Sequence, residues 1–324
     1  MVTFLKPSVV RSLQAAEQSP MLEWLVAPRP WIRLFGFLAL ASFLAFASTV
    51  VVVLFGFLIP GFGDRFESPL VQPETPLRLV EESYSVLSFA MGAGAITFGI
   101  LAAAVLIWRR PFRDFLWPDR SLDFRHFLTG FAVMTALAAV ITPIYLIMGS
   151  EWNPPVLDTY YVAETRLIYG LAMVPLLFIG AAAEEVIFRG VLLRLTGLIL
   201  RQPLLVCLLN GLLFSAIHLD PDPVAIVART LSGMVWTWAA LRLGGLEFAI
   251  GAHFANNLFL SLFWSPFSEG VQSTQSSWTE LVPEIFTTLI VLITIEWLAR
   301  RRHDDANPLE KRSGHPNLPT EKPA

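Results

Sequence analysis

Glu184, Glu185 and Arg189 stand together inside the apolar run LFIGAAAEEVIFRGVLL. An ionisable side chain in hydrocarbon is costly, and it is retained where it faces a polar cavity and works there. On a helix, Glu185 and Arg189 are spaced i,i+4 with the glutamate first, the favourable order for an ion pair. Glu184 is turned about 100° from Glu185, so it is not the natural partner of Arg189. The spacing therefore predicts two roles: Glu185 and Arg189 form a supporting pair, and Glu184 projects into a cavity. A carboxylate withdrawn from bulk water is tuned for general-base work near neutral pH. One buried Glu–Arg pair alone reads as a structural knot between helices. The second, unpaired glutamate turns the reading toward chemistry.

His218 and His253 lie in later apolar segments, and Asn257 follows His253 by one turn on the same face. A lone histidine in an apolar helix is more often a hydrogen-bonded core residue. Two of them with a facing asparagine, after a paired glutamate, are harder to read that way. His253 and Asn257 could donate hydrogen bonds to a developing oxyanion. Alternatively, Glu184, His218 and His253 could hold a divalent metal, since three N/O ligands with an open position suit catalytic zinc. The H-E-x-x-H helix of zinc proteases is absent. His126, His303 and His315 fall in loops or the tail and are expected to be solvated.

The elements that must position these residues are membrane helices. Of 324 residues 55% are hydrophobic and 15% charged, where a soluble domain carries about 25% charged residues. Residues 35–59 contain no charge, and about 20 apolar residues cross a bilayer. The expected fold is all-α: a polytopic bundle of about eight transmembrane helices around an intramembrane polar cavity. The segments fall near 34–59, 84–108, 127–148, 166–188, 203–219, 224–241, 246–264 and 284–299. The stretch 190–201 either extends the fourth helix or lies along the interface. Helix counting places Glu184 toward the cytoplasmic end of the fourth segment and His218 toward the outer end of the fifth. For the two to meet, a helix must be tilted or broken, or the boundary must lie elsewhere between 190 and 203.

Residues 1–33 form an N-terminal arm, with an interfacial helix suggested by Met21, Leu22, Trp24 and Leu25. Residues 34–300 form the membrane domain, and 301–324 a disordered tail. Arg109, Arg110, Arg113, Arg120, Arg125, then Arg189, Arg194 and Arg201, then Arg300, Arg301 and Arg302 alternate with the acidic groups Glu81, Glu82, Glu151, Asp158, Asp220 and Asp222. The positive-inside rule puts both termini in the cytoplasm and the protein in the cell membrane. With net charge −3 and no long basic block, nucleic acid is not a partner. The bilayer is. Cys207 is the sole cysteine and reads as a small packed hydrophobe. Arg229 is expected to pair with a carboxylate or snorkel, Glu296 to pair with Arg300, and Pro143 to kink the third segment.

These residues resemble the CPBP family, the CAAX-protease and bacteriocin-processing intramembrane proteases, also called type II CAAX-prenyl-endopeptidase-like or ABI proteins. The family motif E-E-x-x-x-R is matched by Glu184, Glu185 and Arg189, F-x-x-x-H by Phe214 and His218, and H-x-x-x-N by His253 and Asn257. Three motifs in order within apolar helices make the resemblance specific over about 166–264. It implies an eight-helix fold that hydrolyses peptide bonds of a membrane-embedded or membrane-associated peptide or protein. By resemblance Glu184 and His218 would activate water, His253 and Asn257 would stabilise the oxyanion, and Glu185, Arg189 and Phe214 would support the site. Family members are described both as metalloproteases and as metal-independent glutamate proteases; Asn257, a poor zinc ligand, favours the latter. Two other classes compete. A proton-coupled transporter would use Glu184 and His218 as a relay. A non-catalytic immunity or scaffold protein would keep the fold without turnover.

Overall fold

A computed structural model describes residues 6–22, 30–63, 76–149, 152–264 and 277–306, with side chains up to 302 in the last stretch. Among them every regular element is helical. A short α1 (Pro7–Glu17) precedes α2 (Pro30–Gly56), α3 (Arg78–Trp108) and α4 (Phe124–Ile147). Next come α5 (Ala163–Ile199), α6 (Pro203–Ala216), α7 (Pro223–Leu243), α8 (Glu247–Phe263) and α9 (Leu281–Ala306). Local chemistry sets the boundaries. Asp222 accepts from the amides of Val224 and Ala225, with Pro223 in the first turn, so α7 starts there. Gly244 takes the left-handed conformation (φ 65°) that ends it. Gln202 caps α6 through the Leu205 amide, again followed by proline.

All eight expected apolar segments are helices, but six rather than eight are long and apolar enough to cross a membrane. The two that fall short are α6, with 14 residues, and α8, with 17. At 1.5 Å per residue they reach about 21 and 25 Å, under the roughly 30 Å of a hydrocarbon core. Both are packed closely against a neighbouring helix at glycine crossings. A Cβ on Gly233 of α7 would lie 2.7 Å from the Gly211 Cα of α6. A Cβ on Gly130 of α4 or Gly251 of α8 would strike the partner helix's backbone carbonyl, of Phe248 or Phe127. The outer helices leave large apolar side chains such as Phe43, Phe46 and Leu54 exposed, as lipid-facing surfaces do. The protein is an integral membrane protein.

The fourth segment does not end near Phe188. Here α5 runs unbroken for 37 residues, passing through a wide π-helical stretch at Val186–Leu192 and resuming as α-helix over Leu193–Ile199. The stretch 190–201 therefore extends the helix, and the depth conflict between Glu184 and His218 disappears. Glu184 stands fifteen residues before Ile199, and His218 fifteen residues after Pro203. The chain descends and returns by the same number of residues, about 22 Å each way on the α-helical rise.

Several polar residues expected in loops lie inside. Arg189 and Arg194 are buried within α5, Glu81 and Glu82 are buried within α3, and His126 is buried in the first turn of α4. These corrections remove Arg189, Arg194, Glu81 and Glu82 from the loop-charge pattern. Arg194 is tolerated because its guanidinium donates to the carbonyls of Phe115, Gly190 and Asp114 and touches the Met21 Sδ. Met21 is thus buried, and the N-terminal helix lies at Pro7–Glu17; Trp24 and Leu25 are outside the described residues. Glu296 pairs not with Arg300 but with Arg242 at 2.8 Å, and also accepts from Trp238 and Ser12. Pro143 sits within the continuous α4. Helix α9 continues through 301 to Ala306, and the tail 307–324 lies outside the described residues.

Candidate active site

Glu184 of α5, the end of α6 with the turn after it, and α8 from His253 onward converge on one cavity of about 730 Å³, whose wall includes Glu184, Phe214, His218, His253 and Asn257. The two glutamates face different ways, as their 100° separation on a helix requires. Glu185 and Arg189 are fully buried and joined at 3.0 Å, while Glu184 lines the cavity. Arg189 also donates to the Gly233 carbonyl at 3.0 Å, and its guanidinium lies 4.7 Å over the Phe214 ring.

Glu185 does more than hold Arg189. Its Oε1 is 2.9 Å from His253 Nδ1. A carboxylate oxygen already bonded to a guanidinium accepts rather than donates, so Nδ1 of His253 carries a proton. That leaves His253 Nε2 directed to the Glu184 side, 3.8 Å from its Oε2. Two carboxylates, one guanidinium and one imidazole therefore form a chain in the order Arg189, Glu185, His253, Glu184. With His253 doubly protonated the chain is electrically neutral, and Nε2–H can donate into the site.

His218 is fixed in the same way by backbone. Its Nδ1 is 2.8 Å from the Phe214 carbonyl, which can only accept. Neutral His218 therefore keeps Nε2 as its acceptor nitrogen. Phe214 is the packing hub: its ring meets those of His218 (5.1 Å), Trp236 (5.7 Å) and His253 (5.8 Å) edge-on. Asn257 accepts at Oδ1 from Asn256 Nδ2 at 3.2 Å, so its own amide N–H groups are free of that contact.

Two cavity residues carried no signal in the motifs. Trp236 of α7 stacks on the His253 ring at 4.5 Å and 24°, which with Glu185 fixes the imidazole plane. Glu284 of α9 also reaches the wall. Arg229, whose partner was open, bridges Asp220 at 2.9 Å. Among the described residues no group of three His, Cys, Asp or Glu side chains is placed to enclose a metal ion.

The fold and site define a helical membrane protein whose bundle gathers buried ionisable side chains around one cavity. Residues 167–259 match the family model of Rce1-like type II CAAX prenyl endopeptidases, a protease family, and that span contains all three motifs. The uncharacterized protein YyaK of Bacillus subtilis (strain 168) is 31% identical over 175 residues, covering 51% of this chain. The chain thus spans 56% of that relative's length. No solved structure matches.

Proposed function

We propose that the protein is an intramembrane endopeptidase that hydrolyses a peptide bond of a membrane-associated peptide or protein by carboxylate- and imidazole-activated water. The observation that carries this reading is the placement of Glu184, from α5, and His218, from the turn after α6, on one cavity wall beside the braced His253. A water between Glu184 and His218 Nε2 loses its proton to these bases as its oxygen attacks the scissile carbonyl. His253 Nε2–H and the Asn257 amide donate to the oxyanion that forms. Collapse of the tetrahedral intermediate breaks the C–N bond, and the proton held on the carboxylate passes to the leaving amine. Glu185 and Arg189 keep His253 oriented and protonated on Nδ1. The retained arginines after α3 and at the end of α9 support an orientation with both termini cytoplasmic.

The test is cleavage of a peptide library by the purified full chain in lipid. Glu184→Ala or His218→Ala should each lower kcat/KM by about 10²–10⁴, and cleavage should survive 1,10-phenanthroline. Unchanged cleavage in both variants ends the assignment. Activity lost to the chelator and restored by zinc ends the metal-free mechanism.

A further inference from the structure

The cavity wall holds more charge than this chemistry uses. Besides Glu184 it carries Asp220, Arg229 and Glu284. Asp220 and Arg229 neutralise each other across 2.9 Å, and Glu184 has His253 Nε2 within 3.8 Å. Glu284 is different. Its Oε1 accepts a 2.8 Å hydrogen bond from Ser232 Oγ, and no cation among the described residues bridges it. It belongs to the first turn of α9, outside the matched span 167–259.

Its position relative to the reacting centre follows from α7. Ser232 lies one turn before Trp236, the residue stacked on His253. Four residues of helix rise about 6 Å, and an extended peptide advances roughly 3.3 Å per residue. A carboxylate in an apolar bundle that has one hydroxyl partner and no countercharge becomes favourable when a cation arrives. The same hydrogen bond could simply tie α9 to α7, as Glu296 does further along. But Glu296 has its cation, Arg242, in place, and Glu284 faces a cavity instead.

We propose that Glu284 is a specificity-determining residue that binds a cationic group of the substrate, a lysine or arginine side chain or a free α-amine, about two residues from the bond cleaved. This rests on the peptidase reading above. The same reasoning gives Ser232 the task of aiming the carboxylate.

The test uses matched peptides carrying lysine, norleucine or glutamate at each position around the scissile bond, with free and acetylated N-termini. The wild-type chain should favour lysine over norleucine at one position by about ten- to a hundredfold in kcat/KM, the range of a hydrogen bond to a charged group. If the α-amine is the group bound, the lysine-to-norleucine ratio stays near one and acetylation instead lowers kcat/KM by the same factor in the wild-type chain but not in Glu284→Gln. Glu284→Gln keeps an acceptor for Ser232 but removes the charge, so the lysine-to-norleucine ratio should fall to about one. A purely structural role lowers both peptides together and leaves the ratio intact, which overturns the proposal; so does a wild-type ratio near one at every position with acetylation silent. Binding of the same peptides to Glu184→Ala, and to that variant combined with Glu284→Gln, reads the preference without turnover. Glu184-dependent cleavage that shows no such preference sinks only this inference. Cleavage indifferent to Glu184 sinks the peptidase reading itself.

Discussion

Replacing Arg189 by methionine, which keeps much of its volume, removes the guanidinium and leaves Glu185 charged in a site with no solvent access. The lost contacts are the 3.0 Å bridge, the 3.0 Å bond to the Gly233 carbonyl and the stacking on Phe214. Breaking a buried pair from one side costs about 3–5 kcal/mol. In a membrane the unfolded reference also finds polar partners, so the lower end applies, about 3 kcal/mol. The chain supplies its own reporter. Cys207 is the single thiol and is buried on α6 beside this cluster. Under mild denaturant its labelling by a fluorogenic maleimide is limited by opening of the bundle. At 1.36 kcal/mol per decade, 3 kcal/mol corresponds to roughly a hundredfold faster labelling. Pairing Arg189→Met with Glu185→Gln removes the stranded charge and should recover at least half of the loss. Equal labelling of Arg189→Met and wild type, or a double variant no better than the single, would refute the account of a charge-compensated core.

The hydrogen-bond chain to His253 makes a separate prediction. Glu185→Gln should lower kcat by about 10²-fold, an oxyanion-donor-sized loss, while KM stays near wild type, because the imidazole loses the partner that holds its Nδ1 proton; a change confined to KM contradicts that role. Gly233→Ala should destabilise the protein by about 1–3 kcal/mol and depress activity with it. Its methyl meets Gly211 and pushes away the helix that carries Phe214 and His218. A Gly233→Ala protein that labels and cleaves like wild type would show the crossing to be loose.

What could be read from the chain was whatever depends on local spacing. The i,i+4 relation of Glu185 and Arg189 and the 100° turn to Glu184 are properties of any helix, and they reappear as a buried pair and a cavity carboxylate. Misreadings arose where a distant segment satisfies a polar group. Arg194 looked like the end of a span because no carboxylate lies near it in sequence; besides the Gly190 carbonyl one turn away, its acceptors are carbonyls about eighty residues earlier. Glu296 likewise depends on Arg242, 54 residues earlier. Hydropathy also counts apolar residues without seeing where a helix ends, so α6 and α8 looked like full spans although their helices have 14 and 17 residues. Trp236 and Glu284 belong to the cavity only through the folded arrangement of α7 and α9.

The wide-turn stretch Val186–Leu192 accommodates about one residue more than an α-helix of equal height. It therefore uncouples two anchor points. Above it, Glu184 and Glu185 are indexed to His253 of α8; below it, Arg194 is clasped by the turn that follows α3. A single-residue deletion there can be absorbed by regularising the coil, whereas the same deletion at 176–183 would rotate both glutamates off their partners. Length variation among homologues should accordingly gather in this short interval.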